Sequence, residues 1–215
     1  MNLFRLAGDM SHLLSVCVLL LKIRATKSCR GISLKTQELY ALVFLTRYLD
    51  LFYSYISLYN SIMKVTFVAT AISIIRYMRF DKVVKQTYDK EQDTFRYVFL
   101  VVPCFLLALV LNHRFTFTEV LWTFSIYLEA VAILPQLVLM QRTQNIDNLT
   151  ANYIALLGAY RGLYIINWVY RYFTEPHYRQ WLVWISGVVQ TALYADFFYF
   201  YVKAWKHNTR LQLPA

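Results

Sequence analysis

The chain has 215 residues, of which 59% are hydrophobic, 18% aromatic and only 16% charged. This composition excludes an ordinary water-soluble domain and predicts an integral membrane protein, whose aromatic residues collect at the lipid head groups. The net charge of +10 does not indicate nucleic-acid binding, because the basic residues cluster between the apolar stretches and no nucleic-acid motif accompanies them.

Seven apolar stretches predict membrane-spanning helices. They cover residues 3–22, 36–57, 61–79, 97–113, 118–140, 150–173 and 181–203. The first lacks the pattern of a cleaved signal peptide and is predicted to be retained. Lys and Arg concentrate after the first, third and fifth stretches and in the tail, which the positive-inside rule assigns to the cytosol. The predicted N-terminus is therefore luminal or external and the C-terminus cytosolic, so the glycosylation sequon at Asn148 is expected to stay unused.

The sequence contains a weak internal repeat. A shift of about 114–117 residues places the first stretch on the fifth and the second on the sixth, as in small transporters built from parallel repeats. We therefore predict one all-helical membrane domain over residues 1–215. It would consist of a first three-helix bundle (1–79), a linker helix (97–113), a second three-helix bundle (118–203) and a cytosolic tail (204–215).

The sixth stretch carries charged side chains within an apolar run. Arg161, Tyr164, Trp168 and Arg171 follow each other at helical spacing and share one face. A guanidinium near the middle of a bilayer costs about 2.5–3.5 kcal/mol, so this face is predicted to point at a watery cavity or a bound anion. The alternative is that the arginines extend to the two membrane surfaces, which suits Arg171 better than Arg161.

Polar faces also occur in three other stretches. They comprise Arg5, Asp9 and His12 in the first, Arg47, Asp50, Ser54 and Ser57 in the second, and Glu119, Trp122 and Glu129 in the fifth. The predicted topology places these residues in one cavity, with a luminal layer and a deeper layer that contains His12, Arg47, Glu129, Tyr160 and Arg161.

Each of these residues also has a purely structural interpretation. Asp50 would neutralise Arg47, and Glu129 would neutralise Arg161 across two helices. His12 alone is more often a core histidine than a switch, and a tryptophan such as Trp122 is more often an interfacial residue than a ligand contact. The convergence of these four stretches, and of the seventh with Gln190 and Tyr194, on one cavity favours a binding site.

The sequence contains no recognisable catalytic or metal-binding pattern. The three cysteines, Cys17, Cys29 and Cys104, have no metal-ligand spacing, and we predict neither a disulfide nor a metal site. No nucleophile with a base and no glycine-rich phosphate loop is visible. The sequence therefore predicts a protein that is not an enzyme and needs no cofactor.

Six long strings resemble the KDEL receptor family, the receptors for endoplasmic-reticulum (ER) retention signals. They are MNLFRLAGDMSHL, KSCRGIS, TRYLDLF, LWTFSIYLEAVAILPQL, YRGLYIINWVYRY and VVQTALYADFFYFYV. The resemblance implies a seven-helix fold like that of SWEET and PQ-loop proteins, with Pro135-Gln136 as the proline–glutamine pair. It implies binding of C-terminal Lys-Asp-Glu-Leu or His-Asp-Glu-Leu tails in the acidic Golgi, return in coat-protein-I (COPI) vesicles, and release at the neutral pH of the ER.

The resemblance also implies roles for individual residues. It implies that Arg5, Arg47 and Arg171 contact the carboxylates of the signal, and that Asp50, Glu119 and Trp122 form a pocket for its first residue. Further pocket positions are Tyr48, Tyr164, Asn167 and Trp168. The pH switch and lock would consist of His12, Glu129, Tyr160 and Arg161, and Lys203 and Lys206 would be recognised by the coat. The luminal connection 174–181, with Arg179 and Gln180, and the tail depart from the family pattern.

The chemistry of the side chains agrees with these roles. Three arginines suit the three carboxylates of the tail, because a guanidinium donates paired hydrogen bonds to a carboxylate. Trp122 would hold the cationic first residue. The alternative function is a SWEET-like transporter of a small solute. It would need an opening to the cytosol, where the apolar stretches 17–21 and 133–140 predict a seal.

Overall fold

The computed structural model describes residues 2–144, 146–175, 180–209 and 211–213. Arg179 and Arg210, which the charge analysis used, lie outside the described residues. The described chain is helical, without a β-strand. Its α-helices are α1 (Leu3–Thr26), α2 (Leu34–Arg47), α3 (Leu58–Phe80), α4 (Lys82–Gln86), α5 (Val98–Val110), α6 (Phe117–Val131), α7 (Leu134–Thr143), α8 (Asn148–Thr174), α9 (Trp181–Leu193) and α10 (Ala195–Lys206), and a 3-10 helix covers Tyr48–Phe52.

Three helical segments of the described chain are both long enough and apolar enough to cross a membrane. They are Leu3–Thr26, Leu58–Phe80 and the segment Phe117–Thr143, which joins α6 and α7. A fourth is added if α9 and α10, which meet at a bend of 42°, count as one span. The all-helical membrane prediction is thus confirmed, whereas the count of seven spans stays a prediction.

The second predicted stretch is wrong in its last part. The α-helix ends at Arg47, and after the 3-10 turn the chain leaves helical geometry before Ser57. Ser57 caps the next helix instead, because its hydroxyl accepts the N–H of Asn60. Since a 3-10 helix has three residues per turn, Arg47 and Asp50 do not continue one α-helical face toward Ser54 and Ser57.

The fifth and seventh predicted stretches are each divided. α6 ends at Val131 and α7 starts at Leu134, with Pro135 in its first turn. Proline has no N–H and suits this first turn, where it cannot break a helical hydrogen bond. The break lets Gln136, which follows Pro135, turn its backbone and side chain toward α2.

The two halves of the chain pack in the same way. α1 lies along α8, and α2 lies along α6. Within each half the first and second long helices both contact the third: α1 and α2 contact α3, and α6 and α8 contact α9. α5 packs against α6. Gly8 allows the close approach of α1 to α8, because a Cβ atom there would lie 2.8 Å from the ring of Tyr164.

Gln136 ties α7 to the start of α2. Its backbone N–H donates to the hydroxyl of Thr36 at 3.0 Å, and its side-chain oxygen accepts the N–H of Ser33 at 2.8 Å. Its side-chain nitrogen donates to the carbonyl of Gly31 at 2.8 Å. Gln136 is fully buried, so this amide satisfies backbone groups that water does not reach.

Lys22 ties α1 to the start of α8 in the corresponding way. Its ammonium donates to the hydroxyl of Thr150 and lies 2.6 Å from the carboxylate of Asp147. Burial opposes ionisation of Asp147, but Lys22 and the N–H of Thr150 hold the pKa of Asp147 below its usual value. A single shift of the sequence aligns Lys22 with Gln136. The same shift aligns the N-cap residues of α2 and α8, Ser33 and Asp147, and the threonines in the first turns of these helices, Thr36 and Thr150.

Candidate ligand-binding site

A cavity of about 360 Å³ opens between α1, α2, α3, α6, α8 and α9. Twelve of the fourteen residues predicted for ligand binding and the pH switch line this cavity. They are Arg5, His12, Arg47, Tyr48, Trp122, Glu129, Tyr160, Arg161, Tyr164, Asn167, Trp168 and Arg171. The other two, Asp50 and Glu119, line an adjoining cavity of about 450 Å³ that shares Arg47, Tyr48, Lys64, Trp122 and Gln180 with the first.

Glu129 lies at the centre of the deeper layer and is buried. Its carboxylate is 2.5 Å from Nη1 of Arg47 and 2.6 Å from Nη2 of Arg161, and it accepts the hydroxyl hydrogen of Tyr160. The predicted pairing of Glu129 with Arg161 is therefore confirmed. One carboxylate facing two guanidiniums leaves this layer with a surplus of positive charge.

Arg47 does not pair with Asp50, so that interpretation is wrong. Asp50 lies 2.5 Å from Nζ of Lys64 instead, because the 3-10 turn carries Asp50 toward α3. The guanidinium of Arg47 is oriented by Ser125, whose hydroxyl accepts from Nε at 3.1 Å and whose carbonyl accepts from Nη2 at 2.9 Å. These bonds fix the guanidinium at the cavity wall.

His12 is buried between aromatic rings. Its imidazole stacks on the rings of Phe67 and Tyr160, each with a centroid distance of 4.4 Å, and a tilted Phe44 ring lies 5.7 Å away. Through Tyr160 the imidazole adjoins the Glu129 cluster. A charge on His12 would therefore enter an apolar sandwich beside an existing positive surplus, and it needs additional negative charge nearby.

The end of the cavity near the start of α1 is held by polar contacts between α1, α3 and α8. Asp9 accepts the hydroxyl hydrogens of Tyr59, at 2.8 Å, and of Tyr164. Arg5 donates to the side-chain oxygen of Asn60 at 2.8 Å, and Arg5 has no acidic partner among the described residues. An incoming carboxylate can therefore bind the guanidinium of Arg5 without displacing a described carboxylate of the protein.

The remaining face of α8 contributes aromatic and cationic groups. The ring of Trp168 lies 5.8 Å from the guanidinium carbon of Arg161, a distance suited to a cation–π contact. Asn167 accepts a hydrogen bond from Asn2 at 2.7 Å. Arg171, near the helix end, pairs with Glu175 at 2.7 Å. The shared face predicted for α8 is thus confirmed as one wall of the cavity.

The adjoining cavity is more acidic. It brings together Asp50 from the 3-10 turn and Glu119 from the first turn of α6, with Trp122 between the two cavities. One oxygen of Asp50 pairs with Lys64, whereas the other, Oδ1, is buried and has no hydrogen-bond partner. A buried carboxylate oxygen without a donor favours a cationic ligand.

Lys203 and Lys206 lie far along the chain from the cavity lining. Both are exposed in the last turn of α10. The predicted tail starts inside this helix, and Leu211 and Leu213 are buried against the core. The two lysines are therefore presented by an ordered helix end.

Three residues that line or support the cavity had no predicted role. Lys64 lies on the cavity face of α3, one helical turn after Asn60. Asp9 was noted on a polar face but was not assigned to the site. Ser125 gave no signal, because its role depends on the approach of α2 to α6. The three cysteines are unpaired.

The chain is similar to known proteins over its whole length. A family model described as "ER lumen protein retaining receptor" matches residues 28–171. The chain is 70% identical to an "ER lumen protein-retaining receptor" of Petunia hybrida and 69% identical to "ER lumen protein-retaining receptor B" of Arabidopsis thaliana, in each case over 215 residues and 100% of both chains. A Drosophila melanogaster protein with the same family name is 57% identical over 217 residues, again over 100% of both chains. The resemblance found in the sequence is confirmed, and the chain belongs to the family of ER lumen protein-retaining receptors.

Proposed function

We propose that this protein is the membrane receptor that binds the C-terminal Lys-Asp-Glu-Leu or His-Asp-Glu-Leu tails of escaped ER luminal proteins and returns them to the ER. The names of its relatives support retention of ER luminal proteins. The observation that supports this specific ligand is the distribution of charge between the two cavities. The main cavity has five cationic side chains and two carboxylates, and the acidic residues Asp50 and Glu119 line its neighbour.

This distribution matches the order of charges in the retention signal. The signal begins with a cationic residue and continues with two acidic side chains and a terminal carboxylate. The cationic residue would enter the adjoining cavity over the ring of Trp122, beside Asp50 and Glu119. The three carboxylates would meet Arg5, Arg47 and Arg171, whose planar guanidiniums donate paired hydrogen bonds. Capture of a chain terminus in a polar pocket is a recognised mode of peptide binding.

Ligand binding and proton uptake are coupled in this proposal. A ligand carboxylate that binds the guanidinium of Arg47 weakens the ion pair between Arg47 and Glu129. The released negative charge then stabilises a protonated His12 across the ring of Tyr160. Because the bound state holds one more proton, affinity rises as the pH falls. An unperturbed histidine titrates near about pH 6.5, between an acidic Golgi and a neutral ER.

The proposed route back to the ER is the COPI coat. The exposed Lys203 and Lys206 at the end of α10 are the proposed coat contacts. The double variant Lys203→Ala with Lys206→Ala should bind retention peptides normally but stay in the Golgi after ligand overexpression. Normal return of this variant to the ER would remove the two lysines from coat recognition.

We further propose a seven-span architecture with a luminal N-terminus and a cytosolic C-terminus, in Golgi and ER membranes. The two bundles are 1–79 and 118–203, joined by the linker 97–113. The matching packing of α1–α3 and of α6, α8 and α9 supports the repeat, and the loop charges support the orientation. Glycosylation sequons placed near Asn60 and in the tail test it: modification of the tail, or of native Asn148, would contradict the orientation.

A SWEET-like transporter is the second candidate, and the repeat is the observation that favours it. The contacts of Lys22 and Gln136 oppose it, because they join the helix ends at the predicted cytosolic side, where a transporter must open. Solute flux into vesicles that contain the purified protein separates the two functions. Flux of a small sugar or anion without peptide binding would replace the receptor proposal.

The decisive experiment measures binding of synthetic tetrapeptides to the purified full-length protein between pH 5 and 7.5. The free-acid peptide should bind more tightly at acidic pH than at neutral pH. The same peptide with a C-terminal amide, which lacks one negative charge, should bind at least tenfold more weakly, or about 1.4 kcal/mol. Equal binding of acid and amide at every pH would contradict the proposed ligand.

A further inference from the structure

A separate cavity lies between the ends of α1 and α3 and shares no residue with the ligand-binding cavities. Its volume is about 400 Å³. It is lined by Arg24 from α1 and by Ser73, Arg76, Tyr77, Phe80 and Asp81 from the end of α3. Four of these residues, at positions 73, 76, 77 and 80, share one face of α3. A membrane helix thus presents a polar face outside the peptide site.

The two arginines of this cavity are not neutralised within the described chain. Neither Arg24 nor Arg76 forms an ion pair with a described carboxylate. Arg24 lies over the ring of Tyr77, 5.4 Å from its centroid. The one carboxylate of the cavity, Asp81, accepts the N–H groups of residues 83 and 84 at the start of α4. The cavity therefore has a positive surplus and free guanidinium donors.

The cavity lies at one membrane surface. Arg24 is in the last turn of α1. Arg76 lies about 27 Å along α3 from its first residue, at about 1.5 Å per residue, which is close to the thickness of the hydrocarbon layer, about 30 Å. Phe80 and Val83 beside the cavity are 75% and 52% exposed. Exposed apolar side chains thus lie next to the arginines.

We propose that this cavity binds the head group of an anionic phospholipid that carries a phosphomonoester. Such a group has a charge of about −1.5 to −2, and its oxygens would accept paired hydrogen bonds from Arg24 and Arg76. The hydroxyl of Tyr77 supplies one further donor. The exposed apolar residues Leu21 of α1 and Ile72 of α3 offer a path for the acyl chains. Basic pockets between membrane helices are known to bind phosphoinositide head groups on the cytosolic side, and only the choice of leaflet rests on the topology proposed above.

Lipid binding to the purified full-length protein in detergent tests this proposal. The probes are dioctanoyl phosphatidylinositol 4-phosphate, dioctanoyl phosphatidylcholine and inorganic phosphate. The phosphoinositide should bind at least tenfold more tightly than phosphatidylcholine. Arg76→Gln should weaken its binding at least tenfold. Lys85→Gln is the matched control, because it removes the same charge from an exposed position beside the cavity and should change binding less than twofold.

Three results would overturn the proposal. Equal losses of phosphoinositide affinity in Arg76→Gln and Lys85→Gln would mean that the lipid is attracted to a basic surface in general and not to this cavity. Displacement of the lipid by inorganic phosphate at equal concentration would mean that the cavity is a site for a free anion. Thermal unfolding in detergent, measured on the same samples, reports folding and keeps the test independent of the proposed function. Arg24→Gln is the second variant, and normal lipid binding in both folded arginine variants would also refute the site.

Discussion

Arginine-to-lysine substitutions at positions 47 and 171 separate ligand binding from folding. Lysine keeps the positive charge but cannot donate the paired hydrogen bonds of a guanidinium. In Arg47→Lys the ammonium can still reach Glu129, whereas the two bonds to Ser125, at 3.1 and 2.9 Å, are lost. At about 0.5–1.5 kcal/mol for each hydrogen bond, the expected loss of stability is about 1–3 kcal/mol, which leaves most proteins folded.

The expected cost at Arg171 is different. Its ion pair with Glu175 is partly exposed and has i,i+4 spacing, and such solvent-exposed pairs contribute little to stability. The loss of this ion pair by itself should therefore change the melting temperature little. Both variants should nevertheless bind the retention tetrapeptide at least tenfold more weakly, or about 1.4 kcal/mol, because each loses a two-pronged contact with a ligand carboxylate.

The assay combines calorimetric titration with the tetrapeptide at acidic pH and thermal unfolding in detergent. Arg79→Lys is the control, because Arg79 pairs with Glu38 outside the cavities. The control should bind the peptide like the wild type. Wild-type affinity in both Arg47→Lys and Arg171→Lys would refute the reasoning, since it would mean that these arginines only balance carboxylates of the protein itself.

Three further predictions concern pH, specificity and stability. His12→Ala should bind the tail weakly with a flattened pH profile, and a variant that keeps the wild-type pH dependence would place the switch elsewhere. Trp122→Ala should weaken tails that start with Lys or His more than the same tail starting with Ala; equal losses would remove Trp122 from that subsite. Gln136→Leu should lower the melting temperature, because it strands the N–H of Ser33 and the carbonyl of Gly31, at about 1–3 kcal/mol for each buried group. An unchanged melting temperature would mean that water replaces the amide.

The sequence could predict the features that depend on local pattern. Apolar stretches predicted a helical membrane protein, and helical spacing placed Arg161, Tyr164, Trp168 and Arg171 on one wall of a cavity. The charges on separate stretches also predicted the pairing of Glu129 with Arg161, because a buried guanidinium needs a carboxylate. These predictions depend only on the helical repeat of 3.6 residues per turn and on the unfavourable free energy of placing a charge in lipid.

The breaks and the partners were decided by the tertiary structure. A continuous second helix would have kept Asp50 beside Arg47, but the 3-10 turn carries Asp50 to Lys64. Ser125 orients Arg47 only because α2 lies along α6. Such contacts depend on the relative rotation and depth of two helices, which the sequence of either helix does not specify.

The internal repeat shows the same division. Spacing in the sequence indicated that two halves correspond, but it did not show what the equivalent residues do. In the folded chain Lys22 and Gln136, which the repeat aligns, each hold the start of a helix from the other half. The sequence determined the composition of the two halves, and their packing determined which ends meet, because only packing brings residues more than a hundred positions apart within hydrogen-bonding distance.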